Sequence, residues 1–134
     1  MSKREGSVRQ AAVVAIRSGR ICLITSSSGK RWLVPKGNHE RGAKLRQTAL
    51  QEAWEEAGLV GWLKPAPLGN YEFEKLGRVH RVVVFRMTVT DVKQRWPERH
   101  RRQRRWLRPH DALPLIEHAK LRKILSRVLE RRAG

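Results

Sequence analysis

The order of strand-like and helix-like segments constrains this fold more than any other feature of the chain. Short runs rich in β-branched and apolar residues, separated by turn residues, predict six stretches of strand. These lie at residues 8–16, 21–25, 32–34, 59–65, within 68–90 (two strands around a turn) and at 104–109. Helical patterns occupy 45–57, which ends before the helix-capping candidate Gly58, and 117–132. This order predicts an α/β or α+β fold, with two helices covering a mixed sheet.

A cluster of acids is unusual in so basic a chain. Lys and Arg number 30 against 12 Asp and Glu, a net charge of +18, yet Glu52, Glu55 and Glu56 lie within five positions. At this spacing the three glutamates share one face of the predicted helix. We predict that the opposite arc packs on the sheet through its apolar residues, Leu50, Ala53, Trp54 and Ala57.

Two interpretations of the acidic face are open from periodicity alone, and neither is favoured. Three carboxylates within reach of one point suit a hard divalent cation such as Mg²⁺ or Mn²⁺. The face could equally be paired with distant arginines. The preceding segment PKGNHERG, with a proline, two glycines and a lysine, favours the first, because such a loop can bend alongside a phosphate or a metal. Loop and helix together predict a pyrophosphate–metal site.

The same residues resemble the signature of the Nudix hydrolases, G-x5-E-x7-R-E-U-x-E-E-x-G-U, in which U is a bulky apolar residue. The matching positions are Gly37, Glu52, Glu55, Glu56, Gly58 and Leu59. Three positions depart from it: Ala43 stands in place of the first Glu, Gln51 in place of the Arg, and Ala53 in place of a bulky residue. The resemblance extends more loosely over nearly the whole chain.

The resemblance implies a single Nudix domain over 1–134, an α/β/α sandwich that hydrolyses a phosphoanhydride bond with Mg²⁺ or Mn²⁺. Glu52 would be a metal ligand or the base that activates water, and Glu55 and Glu56 would be metal ligands. Ala43 and Gln51 replace a Glu and an Arg that are often paired with each other in the family. Because both members of that pair are lost together, no unpaired charge is left, and we expect a slower or differently tuned enzyme.

Trp32 with Arg31 and Lys36, followed by NHERG, resembles the branch of the family that acts on diphosphoinositol polyphosphates and dinucleoside polyphosphates. A strongly basic cleft would suit such polyphosphorylated small molecules. The predicted substrate-binding residues are Gly37 and five cations, Arg9, Arg31, Lys36, Lys75 and Arg81. We expect about two of the five cations to line the cleft, since Lys and Arg are mostly solvated. Tyr71 and Phe73 are each either a base-binding aromatic or a core residue.

Alternative functions stay open. The first keeps the hydrolase chemistry, but its substrates are nucleoside triphosphates or RNA 5′ ends. A more distant one is a non-catalytic module that binds RNA or another polyanion, for which Ala43 and Gln51 argue. The basic run 99–105 is a candidate for nonspecific nucleic-acid contact. Glu98 is a candidate additional ligand, although we favour a surface acid among basic residues.

Cellular context follows from three absences. No apolar run approaches the ~18 residues of a membrane span. The first ten residues, MSKREGSVRQ, are polar and precede no signal-peptide core. Cys22 is the lone cysteine, which excludes an internal disulfide. We therefore predict a cytoplasmic protein.

Overall fold

The computed structural model describes the backbone of residues 7–133 and the side chains of residues 7–128. Within that part, the strands are Ser7–Arg17 (β1), Arg20–Thr25 (β2), Trp32–Leu33 (β3), Lys36–Asn38 (β4), Leu59–Leu63 (β5), Gly69–Lys75 (β6), Arg78–Val92 (β7) and Arg104–Leu107 (β8). The α-helices are Leu45–Ala57 (α1), Pro109–Ala112 (α2) and Ala119–Ala133 (α3). Short 3-10 turns cover Arg99–Arg101 and Leu113–Leu115. No helix in the described part is long and apolar enough to cross a membrane.

One mixed sheet forms the middle layer, in the order β3-β2-β1-β7-β5, with β4 paired to β1, β6 to β7 and β8 to β2. Strands β1 and β7 run parallel at its centre, in a register from Ser7 opposite Val79 to Ile16 opposite Thr88. The other pairings are antiparallel. The apolar run of β1 is buried on both faces of the sheet, which is why it does not alternate with polar residues.

A separate apolar core lies on each face of the sheet. On one face, alanines of α1 pack against Leu59, Phe85 and Met87. On the other face, α3 covers the sheet through Leu121, Ile124, Leu125 and Val128, whose spacing places them on one side of the helix. Leu129 continues this spacing in the sequence but lies outside the residues whose side chains are described. Two helices on opposite faces of a mixed sheet confirm the predicted α/β/α sandwich; the single-domain assignment over 1–134 stays a prediction.

Helix α1 begins and ends at the predicted residues. Its C-terminus is capped by Gly58, whose φ of 68° is left-handed and whose N–H donates to the Trp54 carbonyl at 2.9 Å. At its N-terminus, the Lys44 N–H donates to Gln47 Oε1 at 2.9 Å. These local bonds explain why the sequence alone located this helix.

The predicted packing face of α1 is partly wrong. Leu50 and Trp54 are each 37% exposed, whereas the side chains against the sheet include Ala49, Ala53 and Ala57. The alanines recur every four residues and bring the helix close to the sheet, so larger side chains are displaced to its flanks. As a result the helix is rotated from the expected orientation, and Glu56 also lies on the buried side.

Candidate active site

Glu52 lies directly against the backbone of Gly37. A Cβ placed on Gly37 would lie 2.3 Å from Cδ and 2.4 Å from Oε1 of Glu52, so no larger residue fits without displacing that carboxylate. The sequence predicted a loop at Gly37, which is wrong, because Gly37 belongs to β4 and pairs with Ala11 of β1. The glycine is required for a close approach between a strand and a helix side chain.

Glu56 is only 8% exposed, and each of its carboxylate oxygens accepts a hydrogen bond. The backbone N–H of Lys36 donates to Oε1 at 3.0 Å, and Arg102 Nη2 donates to Oε2 at 3.1 Å. These two bonds join the end of α1 to β4 and to the segment before β8. The sequence offered no sign that this glutamate is buried, since its partners lie far away along the chain.

Gln51 supports the neighbouring glutamate. Its Nε2 donates to Glu55 Oε1 at 2.7 Å, one turn further along α1. In the Nudix signature this position is an arginine, and here the amide keeps a donor without the charge. The Glu55 carbonyl also accepts the Glu98 N–H at 3.0 Å, which holds the segment before β8 against the helix.

Glu98 is not the solvated surface acid that the sequence favoured. Its side chain is 16% exposed, and its Oε1 accepts from Arg102 Nε at 3.0 Å. The side chain of Arg102 is 10% exposed and also donates to the Thr25 carbonyl at 2.9 Å. The sequence indicated Arg102 only as a member of the basic run 99–105 and gave no sign of its role beside Glu56. The Glu98–Arg102 spacing of four residues was the one local sign of their pairing.

The positive charge near the acidic cluster does not offset burial and the repulsion between carboxylates, which disfavour the ionised forms of Glu52 and Glu56. Burial, together with the nearby charges of Glu56, Glu55, Glu98 and Glu40, raises the pKa of Glu52 to about 7. The pKa of Glu56 is also raised to about 7, because the effect of burial, with a contribution from the charge of Glu98, exceeds the opposing effects of the Lys36 N–H and Arg102. A cation placed among these carboxylates would relieve this repulsion.

The donor set fits a hard divalent cation in its chemistry. Glu52, Glu55, Glu56 and Glu98 offer only carboxylate oxygens, the ligands that Mg²⁺ and Mn²⁺ favour. Among the residues that the structure describes, however, no three His, Cys, Asp or Glu side chains are grouped closely enough to hold a metal ion. The predicted convergence of Glu52, Glu55 and Glu56 on one ion therefore stays a prediction.

A cavity of about 910 Å³ opens beside Glu56 on the α3 face of the sheet. Three of the five predicted phosphate-binding cations line it: Arg31, Lys36 and Lys75. Arg9 and Arg81 do not; Arg81 instead pairs with Glu72 of the adjacent strand at 2.9 Å. The cavity also contains Arg102 of the basic run and residues that sequence analysis did not single out, Gln10, His80 and His118 together with the Ser26–Ser28 turn.

Lys36 connects the acidic cluster to the cavity. Its backbone N–H is bonded to Glu56, and its Nζ lies 4.7 Å from the centre of the Phe73 ring. Burial lowers the pKa of Lys36, and the charge of Lys75 lowers it further, while Glu56 opposes the shift. A phosphate in the cavity would relieve the repulsion between these two lysines.

The two candidate aromatic residues differ in their surroundings. Tyr71 is 6% exposed and belongs to the core under α3, although one side of it borders the cavity. Phe73 is half-buried and borders the same cavity. Neither role that the sequence left open, base-binding aromatic or core residue, describes both Tyr71 and Phe73, because this part of β6 borders both the core and the cavity.

The basic run 99–105 is not a uniform solvated strip. Arg102 is engaged as described above. Arg104 donates to the Ala57 carbonyl at 2.7 Å and to the Lys93 carbonyl at 2.8 Å, and its guanidinium lies 4.3 Å from the centre of the Trp96 ring. The exposed members are Arg99, His100, Arg101, Gln103 and Arg105. Nucleic-acid contact through this segment stays a prediction. Trp106, which follows the run, is partly buried and packs against the core on the α1 face.

The sandwich and the acidic helix define a class of protein that comparison with known proteins identifies. The NUDIX domain family matches residues 7–128, so this chain belongs to the Nudix family, whose hydrolases act on phosphoanhydride bonds. Members of the family use divalent metal ions.

Named relatives agree with this assignment. The chain is 30% identical over 138 residues to Nudix hydrolase 12, mitochondrial, of Arabidopsis thaliana, covering 96% of this chain and 68% of that one. It is 34% identical over 119 residues to diphosphoinositol polyphosphate phosphohydrolase 3-beta of Bos taurus, covering 84% and 71%. It spans as little as 52% of another relative, Nudix hydrolase 4 of Arabidopsis thaliana.

A solved structure confirms the fold. The Ap4A hydrolase of C. elegans, solved as a binary complex, aligns with a TM-score of 0.79 at 22% identity, over 95% of this chain and 98% of that one. At this level of identity the likeness establishes the sandwich, and the substrate has to be argued from the site itself.

Proposed function

We propose that this chain is a metal-dependent pyrophosphohydrolase that cleaves a phosphoanhydride bond in a polyphosphorylated small molecule, either a dinucleoside polyphosphate or a diphosphoinositol polyphosphate. The observation that carries the proposal is the position of Glu56, which belongs to the acidic cluster of α1 and also lines the cavity that holds Arg31, Lys36 and Lys75. A phosphate chain in that cavity would have one end beside the carboxylates.

The cations of the cavity would bind the phosphates. Burial and then the nearby charge of Lys75 lower the pKa of Lys36, and bound phosphate oxygens would compensate the charges of both lysines. Arg31 is half solvated, with Glu117 at 3.9 Å as a weak partner, so its guanidinium is available to an anion. We propose no phosphate contact for Arg9 or Arg81 from this geometry.

The glutamates of α1 would bind the divalent cation, and Glu52 would accept a proton. Glu52, Glu55 and Glu56 would hold Mg²⁺ or Mn²⁺, which, when bound, neutralises phosphate charge and acidifies a coordinated water. Glu52 has a pKa of about 7, raised chiefly by burial, and so can accept a proton near neutral pH. Gln51 orients Glu55, and Arg102 with the Lys36 N–H orients Glu56.

The test is a hydrolysis panel with Mg²⁺ and Mn²⁺ over dinucleoside polyphosphates, diphosphoinositol polyphosphates, nucleoside triphosphates and triphosphate-ended RNA. We expect turnover that EDTA abolishes and that E52Q and E56Q each lower by at least about a hundredfold, as loss of a catalytic base or charge stabiliser does. E74Q, a change of the same kind on an exposed residue of β6, is the matched control.

Other functions make different predictions in the same panel. Hydrolysis confined to nucleoside triphosphates or to RNA 5′ ends would show that these are the substrates instead. If no substrate is hydrolysed with either metal, while RNA is bound in a salt-sensitive way, the chain is a non-catalytic binding module and the proposal fails. The cytoplasmic location also stays a prediction, and one of the named relatives is a mitochondrial protein.

A further inference from the structure

One segment of the chain binds the C-terminal end of α1. An α-helix leaves its last four carbonyl groups without a partner inside the helix. In α1 each of these four carbonyls accepts a hydrogen bond, and they belong to Trp54, Glu55, Glu56 and Ala57. The Gly58 N–H donates to the first. The donors to the other three all come from residues 93–104, here called the capping segment, which lead from β7 into β8.

Two of these bonds are made to glutamates of the acidic cluster. The Glu98 backbone N–H donates to the Glu55 carbonyl at 3.0 Å. The indole Nε1 of Trp96 donates to the Glu56 carbonyl at 3.0 Å. Because each bond is made to the backbone of a glutamate, the capping segment fixes the points from which two carboxylates extend.

Arg104 binds both the helix and its own segment. Its Nη1 donates to the Ala57 carbonyl at 2.7 Å and to the Lys93 carbonyl at 2.8 Å. Its guanidinium lies 4.3 Å from the centre of the Trp96 ring. The positive charge is also favourable at this end of the helix, where the helix dipole is negative. Trp96 and Arg104 therefore stabilise each other's position as well as that of the helix.

Gly58 leaves the space that these two side chains occupy. A Cβ placed on Gly58 would lie 2.9 Å from Arg104 Nη1 and 2.9 Å from each of two carbons of the Trp96 ring. The residue is thus needed for a close approach of Trp96 and Arg104 as well as for its left-handed φ of 68°. The helix end and the capping segment are packed too closely to move apart independently.

The far end of the capping segment is bound to β2. The Gln103 N–H donates to Thr25 Oγ1 at 2.9 Å, and the Thr25 N–H donates to the Gln103 carbonyl at 3.0 Å. Arg102 therefore lies in a segment that is bound to α1 at one end and to β2 at the other. Its place beside the Glu56 carboxylate depends on bonds that its neighbours make.

We infer that Trp96 and Arg104 are positioning residues, whose bonds to the last carbonyls of α1 raise the affinity of the acidic cluster for a divalent cation. They do so by fixing Glu98 and Arg102 beside the glutamates of α1. The inference rests on the proposed function, because it concerns the cation of that same site. In this assignment Trp96 and Arg104 touch neither the cation nor the substrate.

The test measures Mn²⁺ binding without substrate, by electron paramagnetic resonance of the free ion at one fixed pH. W96F keeps a ring beside Arg104 and removes the indole N–H. R104K keeps the charge, and R104M removes it. W62F and R99M, at exposed positions, are the matched controls. Circular dichroism at the temperature of the titration identifies the variants that are folded.

We expect W96F to weaken Mn²⁺ binding about threefold to tenfold and R104M about tenfold or more, as loss of groups that orient metal ligands does, with both controls within about twofold of the unmodified protein. R104K gives an intermediate affinity, because its ammonium can still donate to the Ala57 carbonyl. If Trp96 and Arg104 served stability alone, W96F and R104M would lower the unfolding midpoint and leave the Mn²⁺ affinity of the folded protein unchanged.

That unchanged affinity would overturn the inference, and so would controls that weaken binding as much as W96F does. Hydrolysis by the unmodified protein would in either case still support the proposed function. If R104M does not fold, W96F and R104K decide. Weaker Mn²⁺ binding in W96F and R104K, without hydrolysis of any substrate by the unmodified protein, would support the positioning role and overturn the enzyme proposal. An unmodified protein that binds no Mn²⁺ would overturn both.

Discussion

Arg102 Nη2 lies 3.1 Å from Glu56 Oε2, and the same guanidinium reaches Glu98 through its Nε at 3.0 Å. One arginine thus bridges two half-buried or buried acids that belong to different parts of the chain. A lysine could not do the same, since its single ammonium lacks the planar fork that contacts two carboxylates at once.

Replacing Arg102 by Met therefore has a large expected effect on stability. It leaves Glu56 and Glu98 without their shared counter-charge, and we expect a loss of about 2–3 kcal/mol in the free energy of unfolding, measured by urea titration. R102K restores less than half of that loss. R101M is the control, because the Arg101 side chain is 57% exposed and its removal is expected to cost less than about 0.5 kcal/mol. Equal losses in R101M and R102M would contradict the prediction.

Gly37→Ala tests the contact between β4 and Glu52. The new Cβ collides with the glutamate side chain, so G37A displaces the carboxylate and lowers phosphoanhydride hydrolysis by about a hundredfold. In an E52A background the colliding atoms are absent, and the stability cost of G37A disappears. A double-mutant cycle of unfolding free energies is expected to give a coupling of at least about 1 kcal/mol. Additive effects would show that Gly37 acts through its backbone conformation.

The hydroxyl of Tyr71 loses its proton at a higher pH in the folded protein than in the unfolded chain. Burial raises its pKa from 10.0 to about 12, so folding disfavours the tyrosinate. This contribution to stability is complete below the unfolded pKa of 10.0 and is lost as the pH rises through about 12. The chain has one tyrosine, so the ultraviolet absorbance of tyrosinate reports on this residue alone. The same midpoint in native and urea-unfolded protein would refute the burial.

Ala49→Leu tests the packing face of α1. Ala49 is fully buried against the sheet, and added methylenes are expected to cost about 1–3 kcal/mol in unfolding free energy. Leu50, the next residue, is 37% exposed, so L50A is expected to cost less than A49L does. If L50A cost more than A49L, the result would support the packing face that the sequence predicted and contradict the one in the structure.

Much of the site could be predicted from local pattern. The bounds of α1, its cap at Gly58 and the spacing of Glu52, Glu55 and Glu56 all depend on residues a few positions apart. Arg31, Lys36 and Lys75 were among the predicted cations and do line the cavity, whereas Arg9 and Arg81 do not. Nothing in their local sequence separates the two groups, because which cations surround one cavity depends on how the strands are paired.

The sequence by itself determined where most of the helices and strands lie, β4 excepted, and which residues could hold a cation, because hydrophobic periodicity, helix capping and motif spacing act over one or two turns of chain. The tertiary structure alone decided that Glu56 is buried, that Arg102 reaches it across 46 positions and the Thr25 carbonyl across 77, and that Gly37 is needed for contact with Glu52. Such contacts form only when the sheet brings distant segments together, and burial then gives their charges an influence on one another that water would otherwise screen.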